Sequence, residues 1–325
     1  MDQRSSLTPP PALEEIEAAV GSTDYEVSLV SLNQWQLAWR RFKRHRLAVF
    51  GSILFLTICA IAVIGPFIIP FDFYTIPEPL KFCVGSTVLR AASGCPPSIN
   101  HILGTTGGLQ RDLLTLVVNG ARLSLTIGIG ASATAAILGT IVGGVAGYFG
   151  GWLDNILMRI VDVMLSLPLL FVILVVAKFL GGGNWFVVML VFAVFGWQGI
   201  ARLVRSLFLS LRSEVFVDAA RAVGVNDRRI IFRHILPNAV SPIIVAMTLS
   251  VASVIVGEAF VSFLGFGVDI TQPTWGNILS NSLSFIPLGN WWWPLFPGLA
   301  IVFTVLGINF MGDGLRDALD PRSRD

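Results

Sequence analysis

Six apolar runs recur along this 325-residue chain, and together they rule out an ordinary water-soluble domain. They are Leu47–Ile69, Leu123–Tyr148, Ile156–Leu180, Trp185–Ile200, Pro242–Phe266 and Pro294–Met311. A helix of about 20 apolar residues spans a bilayer core, and helices satisfy their own backbone where water is absent. The third run is kinkable at Pro168, and the fourth is short unless it continues through Ala201-Arg202-Leu203. With 54% hydrophobic and 13% charged residues, the composition agrees. The expectation is an all-α polytopic membrane protein with about six transmembrane helices. The arm before the first run is too long for a secretory signal, so that run is expected to stay uncleaved.

Basic residues set the orientation. With the N-terminus inside, cytosolic segments hold Arg4, Arg40, Arg41, Lys43, Arg44, Arg46, Arg159, the seven arginines from Arg202 to Arg233, and Arg316, Arg322 and Arg324. The loop Pro70–Arg122, assigned to the outside, holds Lys81, Arg90, Arg111 and Arg122, and Lys178 falls in the third run. Positive charge resists translocation, so both termini are expected in the cytosol.

Residues 1 to about 30 are polar and aperiodic, as in a disordered arm. Trp35, Trp39 and Phe42 then fall at i, i+4 and i+7 among five basic residues, which suits a helix in the headgroup layer. A span follows directly, so these charges read as membrane-facing rather than nucleic-acid-binding. Of the three lysines, Lys43, Lys81 and Lys178, none follows a glycine. A phosphate loop is therefore excluded, and any ATP the system uses must be bound by another chain. In the second run, Gly139, Gly143 and Gly147 form a stripe where another backbone can approach. Gly128-Ile-Gly130 is no dinucleotide fingerprint, because it lies inside an apolar helix.

Between the fourth and fifth runs lies the longest stretch of the second half that cannot sit in a bilayer, Asp218 to Pro237. Phe216, Ala219, Ala220 and Val223 share one helical face by spacing. Gly224 should end that helix in the left-handed region. Asn226 or Asp227 should cap a second one, and Pro237 should stop it or mark entry into the next span. The expectation is a short helix, a turn and a helix presented to the cytosol; a solvated basic loop is the plainer alternative.

Glu258 is an acid within the fifth run, so it either lines an aqueous cavity or makes a structural contact, for instance with Lys178. Asp162 is expected to pair locally with Arg159 at i, i+3. Cys83 and Cys95 fall in the outer loop, on the oxidising side; a disulfide and two free thiols both fit there. The four tryptophans Trp275 and Trp291 to Trp293 suit a membrane–water interface.

Several of these segments resemble one family. Asp218-Ala-Ala, Gly224 and His234-Ile-Leu-Pro237 are similar to the EAA loop of permease subunits of binding-protein-dependent ABC importers. His101-Ile-Leu-Gly-Thr, Arg111-Asp-Leu-Leu, Gly120-Ala-Arg-Leu-Ser-Leu, Arg159-Ile-Val-Asp, Leu167-Pro, Gly257-Glu-Ala-Phe-Val-Ser-Phe-Leu-Gly, Trp275-Gly and Gly312-Asp-Gly-Leu-Arg-Asp-Ala-Leu-Asp-Pro-Arg resemble the C-type subunit of dipeptide and oligopeptide permeases. The resemblance runs from about Trp35 to Arg322. It implies a type I ABC importer permease fold in a prokaryotic cytoplasmic membrane, and a heterodimer with a B-type permease. It also implies two cytosolic ATPases that use ATP and Mg²⁺, and an extracytoplasmic substrate-binding protein. Phe216, Asp218, Ala219, Ala220, Gly224 and Pro237 would then be ATPase-coupling residues, with no catalytic, cofactor or metal residue in this chain. The implied organisation is an arm (1–34), an interfacial helix and first span (35–70), an outer loop (71–118), a transmembrane core (119–313) with the coupling loop at 213–237, and a tail (314–325).

The sequence departs from the family pattern at Asp218, where glutamate is usual. Gly104-Thr-Thr also lacks the acid of the usual Gly-Thr-Asp, so no contact with the delivery protein is carried onto that loop. The resemblance implies peptide import. The same machinery imports glutathione, nickel complexes or oligosaccharides in related systems, and a proton-coupled transporter or a membrane sensor are the rivals from other classes.

Overall fold

The protein is described by a computed structural model over residues 34–69, 94–99, 101–108, 111–179 and 183–319. Residues 1–33 of the arm, most of the outer loop including Cys83, and the last six residues lie outside the described residues. The described chain is built of helices. They are α1 (Gln34–Arg44), α2 (Arg46–Ile68), α3 (Leu113–Phe149), α4 (Gly151–Ser166), α5 (Leu169–Phe179), α6 (Trp185–Val194), α7 (Gln198–Leu211), α8 (Val215–Ala222), α9 (Asp227–Ile230), α10 (Leu236–Phe263), α11 (Trp275–Ser282) and α12 (Trp292–Leu319).

Polar residues at the ends of apolar runs decide where these helices start. His45 accepts from the Ala48 amide ahead of α2, Asp112 from Thr115 ahead of α3, and Asn184 from Phe186 ahead of α6. The Asp112 cap carries α3 back to Leu113, ten residues before the apolar run that announces it. Arg122 therefore lies within a helix rather than a loop. Helices α6 and α7 together make one 27-residue apolar span, so the fourth run does continue past Ile200.

The chain traverses the long axis of its helical bundle six times. Helices α2, α3, α6–α7, α9–α10 and α12 are long and apolar enough to cross a membrane, while α4 and α5 form a pair bent by 85° beside Pro168. The two ends of that bent pair lie at opposite ends of the bundle. Asp154 of α4 meets Arg205 of α7, near the C-terminal end of α3. Beyond α5, Gly183 exchanges backbone hydrogen bonds with Gly267 and Asp269, past the C-terminal end of α10. The pair is thus one broken crossing.

Helix α3 is central. A Cβ on Gly139, Gly143 or Gly147 would lie 2.8, 2.3 or 2.6 Å from the carbonyl oxygens of Trp197, Ala201 and Arg205. The stripe therefore lets the α7 backbone press against α3, as the sequence predicts. One buried cluster joins Leu125, Val251, Ile255, Trp275, Trp292 and Trp293 at the far end; another joins Tyr148, Val204, Phe208, Val217, Ile230 and Ile235 at the α8 end. The tryptophan expectation is corrected here. Trp275, Trp292 and Trp293 are buried inside the protein, and only Trp291 of the four is exposed. The Trp275 indole donates to the Val117 carbonyl and the Trp292 indole to that of Thr105, so their polar ends are satisfied internally. Around the bundle, large apolar side chains such as Phe67, Trp152 and Phe171 face outward, as a lipid-facing surface requires.

Candidate functional site

The segment between α7 and α10 folds as a short helix, a turn and a helix. Glu214 is extended, and its carbonyl accepts from the amides of Val217 and Asp218 to open α8. Asp218 sits in the first turn, where the helix dipole favours a carboxylate. It pairs with Arg221 at 3.3 Å. The helix ends in a Schellman arrangement: Gly224 donates to the Arg221 carbonyl (2.9 Å) and Val225 to that of Ala220 (3.1 Å). Gly224 has φ +76, the left-handed backbone expected of it. Asn226, rather than Asp227, then caps α9 by accepting from the Arg229 amide.

The apolar face read from spacing divides in two. Val217 and Ala220 are buried against α7 and α9, whereas Phe216, Ala219 and Val223 are exposed together with Val215. Spacing puts Ala220 with Ala219, but it cannot say which side of a narrow helix meets the bundle. Ala220 is an inward packing residue. The outward face carries Val215 at 83%, Phe216 at 40% and Val223 at 80% exposure, apolar surface that no other described residue covers.

Residues not singled out by the sequence hold this element in place. The Tyr148 hydroxyl, at the end of α3, donates to Asp227 (2.5 Å), and the Arg221 guanidinium lies 5.8 Å over the Tyr148 ring. Arg212 donates to the Gly147 and Tyr148 carbonyls at the C-terminal end of α3, where the helix dipole is negative. Arg205 of α7 grips Asp154 of α4 through two hydrogen bonds of 2.5 and 2.6 Å. Opposite charges just beyond the ends of two neighbouring apolar runs were a legible signal, since charges beside a membrane span are seldom left unpaired. Tyr148 gave a fainter one, as a polar-tipped ring closing the glycine stripe. These contacts tie α8 and α9 to α3 and α7.

Pro237 does not stop the second helix. Residues Ile231–Ile235 form a π turn in which the Leu236 amide reaches back to the Ile231 carbonyl, and α10 continues directly. Proline has no amide to donate and its ring crowds the carbonyl four residues earlier, so a widened turn is a natural accommodation. The run from Asp227 to Phe263 is therefore one 37-residue rod, about 55 Å long at helical rise.

The other candidate residues lie elsewhere. Glu258 of α10 is fully buried at the far end of the bundle, accepting from Ser262 (2.7 Å) and Ser124 (3.1 Å). Ser124 also accepts from the Trp275 amide, which brings three family-like segments, those of Ser124, Glu258 and Trp275, into one network. The contacts Glu258 makes are with serines rather than with Lys178. Lys178 is exposed and faces a cavity shared with Asp269. Asp162 pairs with Arg202 of α7 at 2.5 Å, not with Arg159, because the bundle offers a nearer cation on a neighbouring helix. Cys95 is buried and Cys59 is a free thiol; the Cys83–Cys95 pairing falls partly outside the described residues.

His101 and Asp112 of the outer loop are joined at 2.8 Å, and both are buried. Asp112 also accepts from Thr115, and Thr105 accepts from the Cys95 amide. This arrangement fixes the loop on the first turn of α3. Among the described residues no group of three or more histidine, cysteine or carboxylate side chains could hold a metal ion.

Residues 135–325 match the family described as binding-protein-dependent transport system inner membrane components, and residues 33–81 match the N-terminal transmembrane domain of oligopeptide transport permease C. The chain is 39% identical to the dipeptide transport system permease protein DppC of Bacillus subtilis over 297 residues, 90% of this chain and 88% of that one. It is 36% identical to the oligopeptide transport system permease protein OppC of the same organism, covering 94% and 96% of the two chains. It is 37% identical to the glutathione transport system permease protein GsiD of Pectobacterium atrosepticum, over 89% and 91%. A solved structure of the MetNI methionine ABC transporter in an inward-facing conformation shares the fold. Its TM-score is 0.51 at 19% identity, covering 63% of this chain and 96% of that one.

Proposed function

This chain belongs to the family of binding-protein-dependent transport system inner membrane components, and we infer that it is the C-type permease subunit of an ATP-driven peptide importer. It pairs with a B-type permease to enclose the translocation path. Two cytosolic ATPases bind ATP and Mg²⁺ and hydrolyse the nucleotide, and an extracytoplasmic protein delivers the peptide. Both termini and α8 lie in the cytosol, on the side where arginines concentrate.

The observation that carries the coupling role is the exposed face of Val215, Phe216, Ala219 and Val223 on a helix clamped to α3 and α7. In this reading the face seats in a groove of one ATPase, and Asp218 supplies the charge that glutamate supplies in relatives. ATPase closure pushes α8; Tyr148 and Arg212 move the ends of α3 and α7, and the 37-residue rod carries the displacement across the membrane. Dipeptides and oligopeptides are the substrates that the names of relatives support; glutathione, carried by one of them, is itself a small peptide.

Reconstitution of this subunit with its partner permease, both ATPases and the binding protein tests the reading. ATP-dependent accumulation of a peptide held by the binding protein is the expected result. Uptake that persists without the ATPases and follows a proton gradient would overturn it.

A further inference from the structure

At the end of the bundle away from α8 lies a cavity of about 510 Å³. Lys178, near the end of α5, and Asp269, in the loop after α10, both line it; Asn277, Ser280 and Asn281 of α11 and the half-exposed ring of Phe266 complete the wall. Its frame is built rather than loose. Gly183 donates to the Gly267 carbonyl at 3.1 Å and accepts from the Asp269 amide at 2.9 Å. The Asn277 side-chain amide donates to the carbonyls of Val268, Asp269 and Gln272. Ser262 lines the same cavity and donates to Glu258, so the wall is continuous with the buried network beneath it.

Two opposite charges therefore face one cavity without satisfying each other, since no ion pair joins Lys178 to Asp269. The Thr271 amide and hydroxyl hold one oxygen of Asp269 and keep its carboxyl below the usual carboxylate range, so it stays anionic. A sphere of this volume is about 10 Å across, close to the roughly 7–10 Å that two or three extended residues span. A peptide of about that length, with a cation at one end and an anion at the other, fits a cavity whose wall carries one charge of each sign.

We propose that this cavity is a subsite for zwitterionic peptides of two or three residues, in which Asp269 receives the peptide amino group and Lys178 its carboxylate. The side chains of Ser280 and Asn281, which bond to no other described residue, accept or donate to the peptide amide between them. This rests on the peptide-importer reading and adds to it a recognition point in the permease, distinct from the binding protein.

Saturation-transfer NMR on the assembled complex in nanodiscs, without binding protein, tests the subsite directly. The probes are Ala-Ala, N-acetyl-Ala-Ala and Ala-Ala amide. The free dipeptide is expected to bind weakly, and each blocked end to weaken binding by about threefold to fivefold, the scale of one partly exposed charge pair. Lys178→Gln should abolish the discrimination against the amide while leaving that against the acetylated peptide, and Asp269→Asn should do the reverse. Lys178→Arg should preserve both. Equal saturation by all three probes in the wild type, no saturation by Ala-Ala at all, or unchanged discrimination in Lys178→Gln would overturn the proposal. A lysine that only extends along the apolar surface toward the headgroups gives that last result. Failure of ATP-dependent uptake with normal probe discrimination would instead count against the importer reading and leave the subsite standing.

Discussion

The two ends of this bundle are held together by different chemistry. At the far end, Glu258, Ser124, Ser262 and Trp275 form a network in which every member is buried and every bond is internal. At the α8 end, arginines and Tyr148 hold the helix by its inner side while apolar residues on its outer side stay exposed. A fully satisfied buried network resists displacement, because any movement strands a polar group away from water. A helix pinned through a few partly exposed contacts can be pushed as a unit and returned. The contrast separates a rigid seat from a lever, on the two ends of the same α10 rod.

The largest break in that contrast is expected at Gly276. A Cβ there would lie 2.4 Å from the Ala259 carbonyl oxygen and 2.8 Å from its Cα, and backbone atoms cannot swing aside. Gly276→Val should cost about 3 kcal/mol or more through overpacking, seen as loss of folded permease on size exclusion in detergent. Recovery at wild-type yield and thermal midpoint would show that α11 is not locked into the core. Next comes Glu258→Leu, which deprives Ser124 and Ser262 of their acceptor at a cost of about 2–3 kcal/mol. Thermal unfolding should shift while ATPase attachment is retained.

At the lever end the effects should be smaller on stability and larger on function. Gly224→Val meets open space but forces φ +76 on a β-branched residue, a strain of about 1–2 kcal/mol. Uptake should fall while membrane insertion is unchanged. Tyr148→Phe removes only the bond to Asp227, worth about 1 kcal/mol. It should loosen the ratio of peptide imported to ATP hydrolysed with little change in folded yield. An unchanged ratio would mean that Tyr148 is packing rather than tether.

Much of the architecture was legible in the sequence because a membrane leaves so few options. Apolar length, the glycine stripe and the left-handed Gly224 each follow from local rules, and each is where those rules put it. What was not legible is which neighbour a polar group meets. Asp162 finds Arg202 and Glu258 finds two serines, because partners come from helices distant in sequence and no period encodes them. Ala220 turned inward for the same reason: a helix with apolar residues on two sides does not announce which side is buried. The tryptophans misled in a third way. Large rings beside a polar loop fit an interface or a core equally well until their indole N–H groups have found carbonyl partners.

The central claim is that α8 is a docking surface, and charge placed on its outer face tests it most directly. Phe216→Asp and Val223→Asp change exposed residues, so the permease pair should purify folded and in normal yield. Affinity purification of the full complex from membranes, with the ATPase content measured against the permease, should show the ATPases largely lost from both variants, and peptide uptake lost with them. ATPases retained at wild-type stoichiometry with normal uptake would contradict the account.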